Sequence, residues 1–158
     1  MGAIIIRNAV PSEKAVLEAL QLRASLANEG DREALLANPD AIELPAEQIA
    51  SGDVFLLELN GRIAGFSALQ PRPDGDAELD SLFVEPDLRR RGLGRLLVEH
   101  CAQIALTRGS RSLNVIGNPH AEQFYLACGF NTIGQTETRF GPGLLMRKYL
   151  SDGPGAER

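Results

Sequence analysis

The sequence predicts a single α/β (α+β) domain built on one mixed sheet, and three observations carry that prediction. The chain has 158 residues, the length of one domain with no room for a second. Hydrophobic residues make up 44% and charged residues 23%, enough for one ordinary core. The apolar pattern switches between short β-branched runs and stretches of helical period, in the order β, α(α), β, β, β, α, β, α, β, β, with no repeat and no linker. The domain is read as residues 1–150, followed by a polar tail, 151–158, expected to be disordered.

Ile4 to Val10 is a β-branched run and predicts the first strand. Pro11 and Ser12 follow, with Ser12 as the expected N-cap of a helix carrying Val16, Leu17, Leu20, Ala24 and Ala27. Residues 31 to 51 are weaker, broken by Pro39 and Pro45, and predict short helices and loops. Val54 to Leu59 is a strand that meets Asn60-Gly61, a hairpin signal, with Ile63 to Leu69 as its return. After a Pro/Gly/Asp loop, Ala77 to Val84 is the fourth strand, stopped by Pro86. Leu93, Leu96, Leu97, His100, Cys101 and Ile104 then fall on one helical stripe, closed by Gly109. Leu113 to Ile116 predicts a strand. Pro119 to Ala127 predicts a short helix with Asn118 as N-cap. Phe130 to Thr138 and Leu144 to Leu150 are the last strands, around a turn expected at Gly141-Pro142-Gly143.

Composition removes several classes of function. Aromatic residues are 5% and Trp is absent, which argues against a base-stacking platform and against nucleic-acid binding. No apolar run is long enough to span a membrane. The N-terminal MGAIIIRNAV has neither a charged segment before its apolar run nor the myristoylation pattern, so neither secretion nor lipid anchoring is expected. Cys101 and Cys128 lack metal-ligand spacing, no metal is expected, and a reduced, cytoplasmic setting is the default. Residues 28–87 carry 14 acids against Arg32, Arg62 and Arg72, a net of −11, whereas residues 88–158 are net +5. Such a division suits handling an anion with one half and a cation with the other.

The chemistry-bearing stretch is Leu82-Phe83-Val84-Glu85-Pro86-Asp87-Leu88-Arg89-Arg90-Arg91-Gly92-Leu93-Gly94-Arg95. A strand ends, a basic loop follows, and two glycines open a helix. Free N–H groups at the positive end of a helix make an anion site, Gly92 and Gly94 permit close approach, and the four arginines add charge-assisted donors. A Walker A loop is absent, and the dinucleotide pattern fails because its third glycine would fall at Leu97.

Arg89-Arg90-Arg91-Gly92-Leu93-Gly94 resembles the [Gln/Arg]-x-x-Gly-x-[Gly/Ala] signature of the GNAT superfamily of N-acetyltransferases. The strand Leu79 to Val84 with Glu85-Pro86 is similar to the family's fourth strand. The segment Asn118-Pro119-His120-Ala121-Glu122-Gln123-Phe124-Tyr125-Leu126-Ala127-Cys128-Gly129-Phe130 is similar to its N-x-x-A-x-x-(F)-Y-x-x-x-G-F run. The resemblance implies the GNAT fold, with helices on both faces of a mostly antiparallel sheet whose strands four and five splay apart. It implies acetyl-CoA as co-substrate, its pyrophosphate on the amides of Arg89, Arg90, Arg91, Gly92, Leu93, Gly94 and Arg95. Its pantetheine arm would lie along Leu82, Phe83 and Val84 like an added strand. An N–H near Val84 would polarise the thioester carbonyl. Asn118 would face the cofactor arm, act as a helix cap, or do both.

Tyr125 matches the family's general acid: a phenol of pKa about 10 supplies a proton to a departing thiolate whose acid lies near 8.5. The alternative is a core tyrosine beside Phe124 and Phe130. Ala77-Glu78-Leu79 resembles the Ala-Glu-Ile of histone-acetylating members, which makes Glu78 the expected base, directly or through water. Asp80 shares its face if the strand is regular, and would raise its pKa; a bulge would break that alternation. The alternative for Glu78 is an exposed or cation-binding carboxylate. His100 is expected in the core and His120 at the surface, and neither cysteine has the partner a covalent acetyl-enzyme requires. The expected activity is direct acetyl transfer to a primary amine in a ternary complex. A small cationic acceptor is favoured by the acidic segment, with Arg139 able to hold a remote carboxylate. The rival readings are a protein N-terminal or lysine acetyltransferase and a non-catalytic CoA-binding sensor. Dimers are common in the family, so a homodimer is compatible with the resemblance.

Overall fold

The computed structural model describes residues 2–151. The expected tail lies, from Asp152 onward, outside the described residues. The strands are β1 (Ile4–Asn8), β2 (Val54–Leu59), β3 (Arg62–Pro71), β4 (Ala77–Val84), β5 (Ser112–Gly117), β6 (Asn131–Thr138) and β7 (Gly141–Tyr149). The helices are α1 (Lys14–Ala27), α2 (Glu29–Ala37), α3 (Ala46–Ala50), α4 (Leu93–Thr107) and α5 (Glu122–Ala127). The strands form one seven-stranded mixed sheet in the order β1-β2-β3-β4-β5-β7-β6. The chain divides into two compact units, Met1–Ala68 with Ser81–Leu97, and Leu69–Asp80 with Val98–Arg158. β4 therefore begins in the second unit and ends in the first.

In the first unit β2 pairs antiparallel with β1 and with β3. The Asn60-Gly61 turn forms as its sequence predicts, with both residues at positive φ, 54° and 81°, the type I′ geometry that matches strand twist. Successive residues of β2 serve two cores because strand side chains alternate. Leu56 packs with Leu17 and Leu20 of α1, Leu44, Ile49 and Phe66. Leu57 packs with Ala64, Leu88, and Leu93 and Leu97 of α4. Helices thus cover both faces of this unit. Gly65 of β3 has no room for a side chain: a Cβ there would lie 2.8 Å from the Phe83 carbonyl oxygen and 3.2 Å from Leu97.

In the second unit β4 and β5 run parallel through two residue pairs, Ala77↔Leu113 and Glu78↔Asn114. The ladder stops there and the strands part. A polar chain pins this short junction. Asp76 accepts from the Arg111 N–H (2.8 Å), the Ser112 N–H (3.3 Å) and the Ser112 hydroxyl (2.9 Å). Buried Asn114 donates through Nδ2 to the Ser112 Oγ (3.0 Å) and the Ala77 carbonyl (3.2 Å) and accepts from Arg147 Nε (2.8 Å). β5 then pairs antiparallel with β7, and β7 with β6. α5 lies on one face, where Tyr125 meets Gly117 and Glu122 accepts from the Thr132 hydroxyl (2.8 Å).

Three local expectations are corrected. Ser12 is not the cap of the first helix: Pro11–Glu13 forms a 3-10 turn, and Glu13 reaches back to accept from the Val10 N–H (2.9 Å). The helix expected from Pro119 begins as a 3-10 turn, Pro119–Ala121, and becomes α-helical at Glu122. The last hairpin turns at Arg139-Phe140, since Thr138 already pairs with Gly141. Pro142 is tolerated in β7 because it lies beyond Leu144, where pairing with β5 ends, so its missing N–H breaks no bond on that side.

The Asp76 junction makes a stability prediction. Burial opposes ionisation of Asp76, but the donors from Arg111 and Ser112 outweigh it and hold its carboxyl below the usual range. Asp76→Ala leaves those donors unpaired and should cost about 2–4 kcal/mol at neutral pH by denaturant unfolding. A depressed acid stabilises the fold above its unfolded pKa and ceases to do so as pH falls through the folded one. The gap between wild type and variant should therefore shrink in strong acid.

Candidate active site

The basic loop lies in the first unit, and its anchors are residues the motif does not reveal. Glu85 follows β4 with its side chain buried, and it takes both Arg23 Nε (3.0 Å) and Arg23 Nη2 (2.6 Å) from α1. Its N–H donates to the Ala64 carbonyl at 2.8 Å. Asp87 is held in the same bidentate manner by Arg62, with both contacts at 3.1 Å. Arg89 donates to the carbonyl of Ala24 (3.2 Å) near the C-terminal end of α1, where helix carbonyls lack intrahelical partners. From this base the loop turns twice through the left-handed region, at Arg90 (φ 64°) and Gly92 (φ 79°).

Arg89, Arg90, Arg91, Gly92 and Arg95 are exposed. Gly92 also has open space where a Cβ would stand. The Gly92 carbonyl accepts from the Leu96 N–H (3.1 Å), so the amides just after it are the unpaired N–H groups of a new helix. Leu93 offers the surface only its backbone, because its side chain is buried in the core. The same holds along the end of β4. Leu82 and Val84 pack toward Leu57 and Leu93, and Phe83 toward Phe66 at 5.6 Å between ring centroids.

Glu78, Asp80 and Tyr125 lie in the second unit. β4 alternates buried, half-buried, buried, exposed from Ala77 to Asp80, then loses the alternation over Ser81 to Val84. Glu78 and Asp80 thus share a face. The Glu78 carboxyl is pushed up first by burial and then by the Asp80 charge, with Arg72 opposing; the sequence pointed to Asp80 alone. Tyr125 is buried, with its ring edge-on to Phe124 (5.1 Å) and Phe130 (5.4 Å) and against the backbone of Gly117. Asn118 caps the following turn by accepting from the His120 N–H (2.8 Å).

His120 is exposed, and His100 is half-buried with its imidazole pKa lowered by burial. Cys101 and Cys128 are buried, and neither forms a disulfide among the described residues. Arg139 sits over the Phe140 ring at 5.1 Å. Among the described residues, no group of three or more His, Cys, Asp or Glu side chains could hold a metal ion. Much of the acidity of residues 28–87 is structural. Glu43, Glu58, Asp74, Glu85 and Asp87 are ion-paired with Lys14, Arg7, Arg72, Arg23 and Arg62.

The sequence profile of the Acetyltransferase (GNAT) family matches residues 20–130, so the chain belongs to the GNAT acetyltransferase family. Among curated proteins it is 38% identical over 80 residues to the [ribosomal protein bS18]-alanine N-acetyltransferase of Escherichia coli, spanning 49% of this chain and 53% of that one. It is 38% identical over 61 residues to a peptidyl-lysine N-acetyltransferase of Salmonella typhimurium, 37% of this chain and 39% of the relative. An uncharacterized N-acetyltransferase of Methanocaldococcus jannaschii is 33% identical over 85 residues, 48% of this chain and 38% of the relative. The chain thus spans about half or less of the curated relatives it matches.

Solved structures share the fold over nearly the whole chain. A GCN5-related N-acetyltransferase from Rhodopseudomonas palustris aligns with a TM-score of 0.76 at 24% identity, covering 95% of this chain and 98% of that one. The paia N-acetyltransferase from Thermoplasma acidophilum, in complex with coenzyme A, aligns with a TM-score of 0.73 at 18% identity, covering 93% and 99%.

Glu78 yields a prediction independent of any reaction. Its folded pKa lies above the unfolded value, so the unfolded chain releases this proton first as pH rises. Stability contributed by this group therefore falls through that window. Glu78→Gln should melt above wild type at neutral pH, and the difference should vanish once wild-type Glu78 is protonated. A variant less stable than wild type at neutral pH would contradict the assignment.

Proposed function

We propose that this protein transfers the acetyl group of acetyl-CoA directly to a primary amine, as one acetyltransferase domain over residues 1–150. The family match supports the single domain because residues 20–130 draw on both compact units. The observation that carries the cofactor is the exposed basic loop. Left-handed Arg90 and Gly92 deliver it onto the N-terminus of the 15-residue helix α4, where amides and guanidinium groups suit a pyrophosphate. Arg89, Arg90, Arg91, Gly92, Leu93, Gly94 and Arg95 would hold it, Leu93 by backbone alone. The backbone of Leu82, Phe83 and Val84 would hold the pantetheine arm, with Asn118 beside it.

Acetyl-CoA supplies an acyl group already activated as a thioester. The remaining work falls to side chains and backbone. Glu78, with its raised pKa, takes the proton from the arriving ammonium. An N–H near Val84 donates to the carbonyl oxygen as charge gathers there. Tyr125 donates its phenolic proton to the sulfur that leaves. Retention of both Glu78 and Tyr125 argues against a CoA-binding sensor without turnover. Burial of both cysteines outside any disulfide supports direct transfer and a reduced, cytoplasmic setting.

The acceptor favoured by the Glu78–Asp80 pair is a small cationic amine. A peptide α-amine or lysine is the second reading, supported by the activities named for two relatives, on ribosomal-protein alanine and on peptidyl-lysine. Thiol release from acetyl-CoA with a panel of small amines and peptides separates the two.

Two variants test the reading. Gly92→Asp places a carboxylate beside the proposed pyrophosphate at a residue with φ 79°, and should weaken acetyl-CoA binding by more than about thirtyfold, ~2 kcal/mol. Unchanged affinity in calorimetry would reject the site. Tyr125→Phe keeps the ring and removes the proton. With chemistry rate-limiting, kcat should fall roughly 10²–10⁴-fold while acetyl-CoA affinity holds; a change within about threefold would leave Tyr125 a packing residue only.

A further inference from the structure

The row of paired residues through Glu78 crosses the second unit over Asn114 of β5 to Arg147 of β7. Directly paired residues project to one face, so the Glu78 carboxylate and the Arg147 guanidinium stand on the same side of the sheet. Tyr125 lies on the other side, since it packs against Gly117, an odd number of residues along β5 from Asn114. The Glu78 face is open to water here: its next residue on β5, Ile116, is 46% exposed.

Arg147 is half-buried and aimed. Its Nε donates to Asn114 Oδ1 at 2.8 Å, which draws the guanidinium from β7 across β5 toward β4. Asn114 is itself fixed by Ala77 and Ser112. Neither Nη nitrogen of Arg147 has a hydrogen-bond or ion-pair partner among the described residues. The Glu78 carboxylate likewise accepts no hydrogen bond among them. A guanidinium ordinarily spends its fork on a carboxylate or phosphate. This one holds its fork open over the strand that separates it from Glu78, two strands and about 10 Å away between backbones.

We infer that Arg147 is a specificity residue that takes the carboxylate of the acceptor, whose amine lies at Glu78. The acceptor class is an ω-amino carboxylate, with amine and carboxylate separated by about four to six bonds so as to bridge roughly one to two strand spacings. The inference rests on the reading of Glu78 as the acceptor's base. An α-amino acid is too short to reach both charges, and a polyamine would bring a second cation against the guanidinium. The remote carboxylate thus passes from Arg139, which stacks on Phe140, to Arg147.

The test compares ε-aminocaproate with hexylamine, the same amine on the same chain without the carboxylate. Binding of each is measured by calorimetry to the protein with CoA present, for wild type, Arg147→Gln and Arg147→Lys. Wild type should bind ε-aminocaproate at least about tenfold more tightly, ~1.4 kcal/mol. Arg147→Gln should erase the preference, and Arg147→Lys should restore part of it. Equal binding of the two ligands by wild type, or an unchanged preference in Arg147→Gln, overturns the inference, and the wild-type comparison decides alone if neither variant folds. Preferential binding without thiol release on any amine would uphold Arg147 and overturn the acetyl-transfer reading instead.

Discussion

The parallel junction of β4 and β5 is the constraint on which the rest depends. Two residue pairs hold these strands together, fewer than an isolated parallel ladder could sustain. Asp76 makes up the deficit by gathering three donors at the junction, and Asn114 ties the next row to Ala77 and to Ser112. Because the pairing is anchored at its start, it can end early. β4 continues to Val84 with its side chains committed to packing. The same anchored row carries Glu78, the residue proposed as base, opposite Asn114.

Electrostatics divides the labour in a way net charge does not show. The acids of residues 28–87 suggest an acidic wall, yet Glu85 and Asp87 fasten the turn beneath the basic loop by taking both prongs of Arg23 and Arg62. An acid-rich segment thereby becomes the footing of the basic loop. With Glu85 and Asp87 neutralised locally, Arg90 and Arg91 are left to set the potential above the helix end. At Glu78 the balance differs. Burial raises its pKa first and the neighbouring Asp80 adds to it, with Arg72 opposing, a combination that makes the carboxylate a stronger base than a free one.

Elements whose signals are local were legible in the sequence. β2 and β4 keep the expected bounds because turn residues and proline stop them on both sides, and Asn60-Gly61 turns as its chemistry requires. Helix starts were less legible. Glu13 competes with Ser12 for the N-terminal donors and wins by bonding the Val10 N–H. The last hairpin moved off its glycines because pairing with β6 and β5 sets the register of β7, and Gly141-Pro142-Gly143 fits inside the strand once Pro142 lies past the end of β5.

The sequence by itself determined the family and the basic glycine loop on a helix start, and it nominated Tyr125 and Glu78 for the proposed chemistry, because each is a contiguous pattern. Only the tertiary structure decided what those residues work against. Arg23 with Glu85, Arg62 with Asp87, and Arg147 with Asn114 are separated by 62, 25 and 33 residues, and no spacing rule links them. Such pairs arise from strand register and helix placement, which follow from burying the apolar faces together. Charge partners across a sheet are therefore chosen by the core, and the chain order holds no record of them until it folds.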